Sequence, residues 1–275
     1  MRYKLCIEYD GTNYSGWQKQ KQGISVQSVI EECIFELSGE RVELVGSSRT
    51  DAGVHALGQI AHFDLDKKHY PETVVVQALN YYLCRINRIR IKKLQRLIEG
   101  EFGESYRRYG LPAEQDIVIK SCSIVDGEFH ARFSSKMRHY RYIIKNTGSP
   151  LAIWQNRAWW VSDELDIDSM AETCQILLGL HDFSSFRDSQ CQAPSPMKTI
   201  SSCRIYSAEK DLIIFDISAK SFLHHMVRNI IGTLRDVGRR KIGTSDFKDI
   251  LESKDRKKAG VNAPACGLYF IGVDY

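Results

Sequence analysis

No Cys-x-x-Cys pair occurs among the eight cysteines, and the closest two, Cys191 and Cys203, are twelve apart. That spacing excludes a zinc site built from adjacent cysteine pairs, and a disulfide framework is not expected in a chain with so large a core. The cysteines read as reduced core residues. There is no P-loop, no dinucleotide fingerprint and no His-Glu-x-x-His, so the common phosphate, nicotinamide and zinc-protease signatures are missing. No run of about 18 apolar residues exists, so no membrane-spanning helix is expected. Residues 1–8 enter strand-like sequence without a signal-peptide pattern, and a cytoplasmic setting is expected. Nor is there a strong excess of one charge. Lys plus Arg number 38 against 34 Asp plus Glu, a net of +4, which permits a polyanionic partner without demanding one.

What is present is enough for one large domain or two lobes. The chain has 275 residues, 43% of them hydrophobic and 26% charged, which argues against disorder as the main state. Residues 3–9 alternate and predict a strand, closed by the turn Asp10-Gly11-Thr12-Asn13. Ser25 predicts a helix cap, Val26, Val29, Ile30, Cys33, Ile34 and Leu37 its apolar face, and Gly39 its end. Strands are predicted at 42–45 and 59–65, then a helix opened by Pro71 and running through Tyr82. The second half repeats the order, with a strand at 138–145, a helix at 167–178 and a hairpin at 202–207 and 212–219. A helix from Met226 stopped by Gly238 and a strand at 268–273 complete it. The fold class expected is α+β: two similar β-α-β-β-α lobes with joined antiparallel sheets and a cleft between them. Residues 1–120 form the expected N-terminal lobe and residues 121–275 the C-terminal lobe.

One segment breaks this symmetry. Residues 85–110 hold Arg85, Arg88, Arg90, Lys92, Lys93, Arg96, Arg107 and Arg108 against Glu99, Glu101 and Glu104, a net of +5. Ile91, Leu94, Leu97 and Ile98 predict a short amphipathic helix within it. The segment reads either as a solvated insertion or as a phosphate-contacting element.

Three strings carry chemistry. The first is Gly46-Ser47-Ser48-Arg49-Thr50-Asp51-Ala52-Gly53-Val54-His55, a loop after a strand. If it is extended, Arg49 and Asp51 point the same way. An arginine beside a carboxylate keeps it ionised, and an ionised carboxylate in a cleft can act as nucleophile or base. The same spacing also suits an Asx turn with a surface ion pair. The second is His224-His225-Met226-Val227-Arg228. On a helix it makes one cationic face, with the two histidines pointing about 100° apart and so poorly placed to share a metal. A plain basic solvent face fits it equally. The third is Phe129-His130-Ala131-Arg132-Phe133 followed by Arg138-His139-Tyr140-Arg141-Tyr142. Arginines interleaved with aromatic rings suit RNA, rings for bases and guanidinium groups for phosphates; an ordinary aromatic sheet face has the same pattern. The loop Phe183-Ser184-Ser185-Phe186-Arg187 has similar character.

Taken together these strings resemble the bacterial tRNA pseudouridine synthase A family. The matching pieces also include Glu8-Tyr9-Asp10-Gly11, Gly16-Trp17-Gln18, Ser25-Val26-Gln27, Phe222-Leu223, Asn229-Ile230, Gly267-Leu268-Tyr269 and Val273-Asp274-Tyr275, in family order over nearly the whole chain. Two departures stand out. Residues 84–111 form an insertion of about 28 residues relative to the family pattern, and Cys266 stands where an acidic residue is common.

The resemblance implies the pseudouridine synthase fold and an isomerase acting on uridines at positions 38, 39 and 40 of the tRNA anticodon stem-loop. It implies no metal and no organic cofactor, a homodimer, and neither a membrane nor DNA as partner. The residues it assigns to catalysis are Asp51 as nucleophile or base, Tyr140, Arg228 and Arg49. To the substrate it assigns Tyr140, Leu268, Arg49, His55, Arg132, Arg187 and His224. Arg228 would pair with Asp51 across the lobes, and Arg49 would fill the space left by the flipped base or contact phosphate. Two other readings compete: a non-catalytic RNA-binding module with two RNA-binding-like lobes, and an aspartate-nucleophile hydrolase, which would want a second acid–base group near the first.

Overall fold

Tyr3, Leu5, Ile7 and Tyr9 point inward from β1 (Arg2–Tyr9), the strict alternation of a half-buried strand. The computed structural model describes the backbone of residues 1–102 and 115–275 and the side chains of residues 1–87 and 115–275. Helix α1 (Val26–Ser38) begins where the Ser25 hydroxyl accepts from the Ser28 N–H, and ends at Gly39, whose φ of 75° lets its N–H return to the Phe35 carbonyl. The strand expected at 42–45 is reduced to β2 (Val45–Gly46), which pairs briefly with β3 (His55–Asp64).

Helix α2 (Glu72–Phe102) is much longer than the sequence pattern suggests. The short amphipathic helix expected around Ile91 to Ile98 is its continuation, not a separate element. The remainder of the 84–111 insertion, residues 103–111, lies outside the described residues, as do the side chains of 88–102. Asn80 ties α2 to β4 (Ile117–Val125). Its amide donates to the Ile119 carbonyl at 2.9 Å and accepts from the Ile119 N–H at 2.8 Å.

The second half supplies β5 (Met137–Asn146), β6 (Trp159–Val161), α3 (Ile167–Cys174), β7 (Gly179–Asp182), β8 (Met197–Glu209) and β9 (Leu212–Ala219). It ends with α4 (Met226–Gly238), α5 (Thr244–Ser253) and β10 (Leu268–Asp274). These strands belong to one sheet in the order β4-β1-β3-β10-β5-β9-β8-β7, with β2 on β3 and β6 on β5. The α+β class and the joined sheets are therefore as expected. The seam itself is parallel: β10 meets β3 at Tyr269↔His55 and Phe270↔Ala56. The C-terminal strand thus sits between the halves, and the start of β10 opens onto the loop that follows β2.

Candidate active site

The loop between β2 and β3 is strapped down from several sides. The Ser47 hydroxyl donates to the Gln59 side chain at 2.8 Å, and the Gln59 amide donates to the Ser48 carbonyl at 2.7 Å. Tyr9 and Thr50 share a hydroxyl hydrogen bond of 2.7 Å, and the Trp17 N–H donates to the Thr50 carbonyl at 3.1 Å. Gly16 adopts a φ of +97°, and a Cβ there would meet the Thr50 carbonyl oxygen at 2.6 Å, so only glycine allows this approach. From β5, the Arg138 guanidinium donates to the Ser47 carbonyl at 3.0 Å. Sequence reasoning misses this positioning by Gln59 and Arg138, because their partners are loop atoms brought close only by the fold.

This scaffold presents Asp51 to a cavity of about 850 Å³ lined from both halves of the sheet. Arg228, from the first turn of α4, donates from Nη1 to Oδ2 of Asp51 at 3.0 Å, and its Nε donates to the Ala263 carbonyl at 2.7 Å. His224 Nε2 lies 3.4 Å from Oδ1 and His225 Nε2 lies 3.2 Å from Oδ2. Burial alone would push the Asp51 carboxyl up. The hydrogen bonds from His224 and His225, with the charges of His225 and Arg228, outweigh it and hold the carboxyl well below the usual carboxylate range. In return the hydrogen bond to Asp51 raises His224.

The histidines arrive by a different route from that expected. They do not lie on the helix. His225 is the N-cap residue of α4 at φ 60°, ψ 4°, a left-handed conformation rare for a non-glycine residue and held in place by its surroundings. That turn folds its ring beside His224, with ring centroids 3.9 Å apart. Both rings therefore converge on Asp51, which a 100° helical offset would forbid. Among the described residues Asp51, His224 and His225 also bring ligand-type atoms within 4.8 Å of one another. Arg228 already sits on the same oxygen of Asp51 that faces His225, so the protein itself supplies a cation there.

Tyr140 faces the cavity from β5, and its hydroxyl lies 2.5 Å from the Ser48 Oγ. Its ring meets Phe222 edge-on and Phe270 at a tilt, each at 5.1 Å. Burial pushes the phenol up to about 12, so it stays neutral at neutral pH. Leu268, Arg49 and Arg132 also line the cavity. Arg49 is exposed and makes no ion pair with Asp51 among the described residues; the arginine that holds Asp51 is Arg228. Burial, and then the charge of Arg132, lower the Arg49 guanidinium. Two arginines on one rim make it receptive to anions.

A family model described as tRNA pseudouridine synthase matches residues 5–97 and 173–275 of this chain. Relatives from Orientia tsutsugamushi, strains Ikeda and Boryong, each named tRNA pseudouridine synthase A, are 42% identical over 295 and 296 residues, spanning the whole of both chains. The chain belongs to the tRNA pseudouridine synthase family. It is an isomerase of that family with the family's α+β fold.

Several residues that the sequence suggests for this synthase lie elsewhere. His55 is 3% exposed; it accepts from the Gly11 N–H, faces Asp10 and stacks on Tyr269, so it braces the β3–β10 seam and does not line the cleft. Arg187 donates to the carbonyls of Cys191 and Ala193 at 2.7 and 2.8 Å and folds its own loop. Tyr142, Phe183 and Phe186 are fully buried, and the Tyr142 hydroxyl donates to the Pro264 carbonyl. Of the aromatic strand, Tyr140 is the ring that reaches the site.

Proposed function

We propose that this synthase isomerises uridine to pseudouridine at positions 38, 39 and 40 of the tRNA anticodon stem-loop, with Asp51 as the essential carboxylate. The observation that carries this reading is the ionised Asp51 held by Arg228 in a cavity large enough for one nucleotide. The reaction breaks the N1–C1′ bond, turns the base, joins C5 to C1′, removes the C5 proton and returns a proton to N1. It needs no net oxidant. A uridine in a stem must be flipped out at a cost of a few kcal/mol, and stacking on Tyr140 returns about 1–3 kcal/mol.

In this scheme Leu268 packs on the opposite face of the uracil. Asp51 attacks carbon or removes a ribose proton, and the neutral Tyr140 hydroxyl serves proton transfer. Arg49 and Arg132 engage the phosphates that flank the flipped nucleotide, or Arg49 fills the gap it leaves. Residues 1–120 bring the Arg-Thr-Asp loop, residues 121–275 bring Tyr140 and Arg228, and the enzyme works as a cytoplasmic homodimer. Among the described residues no helix is long and apolar enough to cross a membrane.

Release of tritium from C5-labelled uridine in unmodified tRNA tests the reading. Release that maps to positions 38–40 supports it. Tight tRNA binding without release would replace it with a binding module.

A further inference from the structure

Asp188 belongs to none of the motifs that point to the site, yet it lies directly behind it. Its Oδ2 is 2.8 Å from His225 Nδ1 and its Oδ1 is 3.5 Å from His224 Nδ1. The opposite nitrogens of the same rings face Asp51. Two carboxylates therefore confront one another through a layer of two neighbouring imidazoles. The loop that carries Asp188 is tied to this layer. The Asp188 N–H donates to the His224 carbonyl at 3.2 Å, and the Gln190 N–H donates to Asp188 Oδ1 at 2.8 Å. Arg187 closes the loop from the other side.

A neutral imidazole has one N–H and one lone pair, so between two carboxylates it must turn a lone pair on one of them. An imidazolium donates to both. Two imidazoliums with centroids 3.9 Å apart would repel each other. The charges close with one shared proton: Asp51 and Asp188 against Arg228 and a single imidazolium. The other groups beside the pair are Cys191, whose Sγ accepts from the His224 backbone N–H, Asn262, whose Nδ2 is 3.3 Å from His225 Nδ1, and Arg256, whose charge is felt by Asp188. Among the described residues the buried Asn262 carboxamide oxygen has no hydrogen-bond partner, and a half-turn of that amide presents it to an Nδ1–H.

We propose that Asp188 is a positioning residue that holds the His224–His225 pair singly protonated against Asp51, so that loss of this proton misplaces the carboxylate and switches turnover off. This rests on the reading of Asp51 as the catalytic carboxylate. The raised His224 is consistent with it. Asp188→Asn keeps the acceptor for Gln190 and removes the charge.

The test uses the full-length protein with labelled histidine rings, assigned through His224→Gln and His225→Gln, and follows their titration by NMR without tRNA. The wild type should take up one proton across the pair, and Asp188→Asn should move that midpoint down by about one pH unit or more. The alkaline limb of kcat, measured by tritium release, should move down with it while KM for tRNA stays within about twofold. Asp188→Glu should restore part of both shifts. If Asp188→Asn folds poorly, Asp188→Ser gives the same two readouts. An unchanged ring titration overturns the proposal, as does a drop in kcat that is uniform with pH. Asp51→Asn separates the underlying reading: residual turnover there would remove Asp51 from catalysis, while the ring titration still decides whether Asp188 controls the pair.

Discussion

Arg228 and Asp51 are 177 residues apart in sequence and 3.0 Å apart in space. The pair joins the loop after β2 to the first turn of α4, and both side chains are largely shielded, at 14% and 21% exposure. Arg228→Lys keeps a cation but replaces the two nitrogens that reach Asp51 and the Ala263 carbonyl with one. A misplacement of about 1 Å at a reacting group costs roughly 100-fold, so kcat should fall by about that factor with KM changed only a few-fold. Single-turnover and steady-state tritium release measure both. A kcat close to that of wild type would mean that Arg228 supplies charge alone.

Asp51→Asn should abolish turnover and leave tRNA affinity within several-fold, because phosphate interactions dominate binding. The same variant reads the linkage of stability to pH. Asp51 is held below its unfolded value of about 3.9, so its stabilisation is fully present above that pH and is lost as pH falls through the folded value. His224 is raised, so its stabilisation is present below about pH 6.5 and is lost as pH rises through its folded value. Urea denaturation should therefore find the advantage of wild type over Asp51→Asn shrinking below about pH 4. The advantage over His224→Gln should be full at a pH below about 6.5 and shrink as pH rises above it. Curves parallel at every pH would refute these pairings.

How much of the site is legible in the sequence depends on whether a residue's partner is local. Asp51 and Arg228 are readable because each sits in a distinctive string, and the capped helix α1 because Ser25, its apolar period and Gly39 agree. The histidine pair is misread as a helical face because nothing in His-His-Met-Val-Arg announces that His225 turns left-handed and that the helix begins only after it. A two-residue spacing sets Arg49 beside Asp51, but Thr50 between them is buried and bonded to Tyr9, and the loop is not an extended strand. Tyr142, Phe183 and Phe186 resemble stacking residues in composition and are core. Arg138 reads only as part of an aromatic strand, and Gln59 and Asp188 carry no signal, since their partners are set by β5, β3 and the loop after β7.

Tyr140→Phe should keep the ring packing against Phe222 and Phe270 while removing the hydroxyl shared with Ser48. If that hydroxyl moves a proton, kcat should fall by about 100-fold or more with tRNA affinity preserved. Fluorescence titration of tRNA binding alongside the rate assay separates the two effects. A full rate in Tyr140→Phe would leave stacking as the sole role of this ring.

The basic segment allows a test that does not touch the chemistry. Residues 85–110 carry more net positive charge than the whole chain, +5 against +4, and α2 carries the first part of them along its 31 residues, a rod about 46 Å long. A net charge of this sign suits tRNA phosphates. Removing one phosphate interaction flattens the plot of log affinity against log salt by somewhat less than one unit. Replacing Arg88, Arg90, Lys92, Lys93 and Arg96 with glutamine should weaken tRNA binding at low salt and flatten that slope, with kcat at saturating tRNA nearly unchanged. Arg49→Gln is the contrast, because Arg49 lines the cavity with Asp51: it should lower kcat as well as affinity. An unchanged slope in the five-residue variant would show that this segment faces solvent, or another partner, while tRNA is bound.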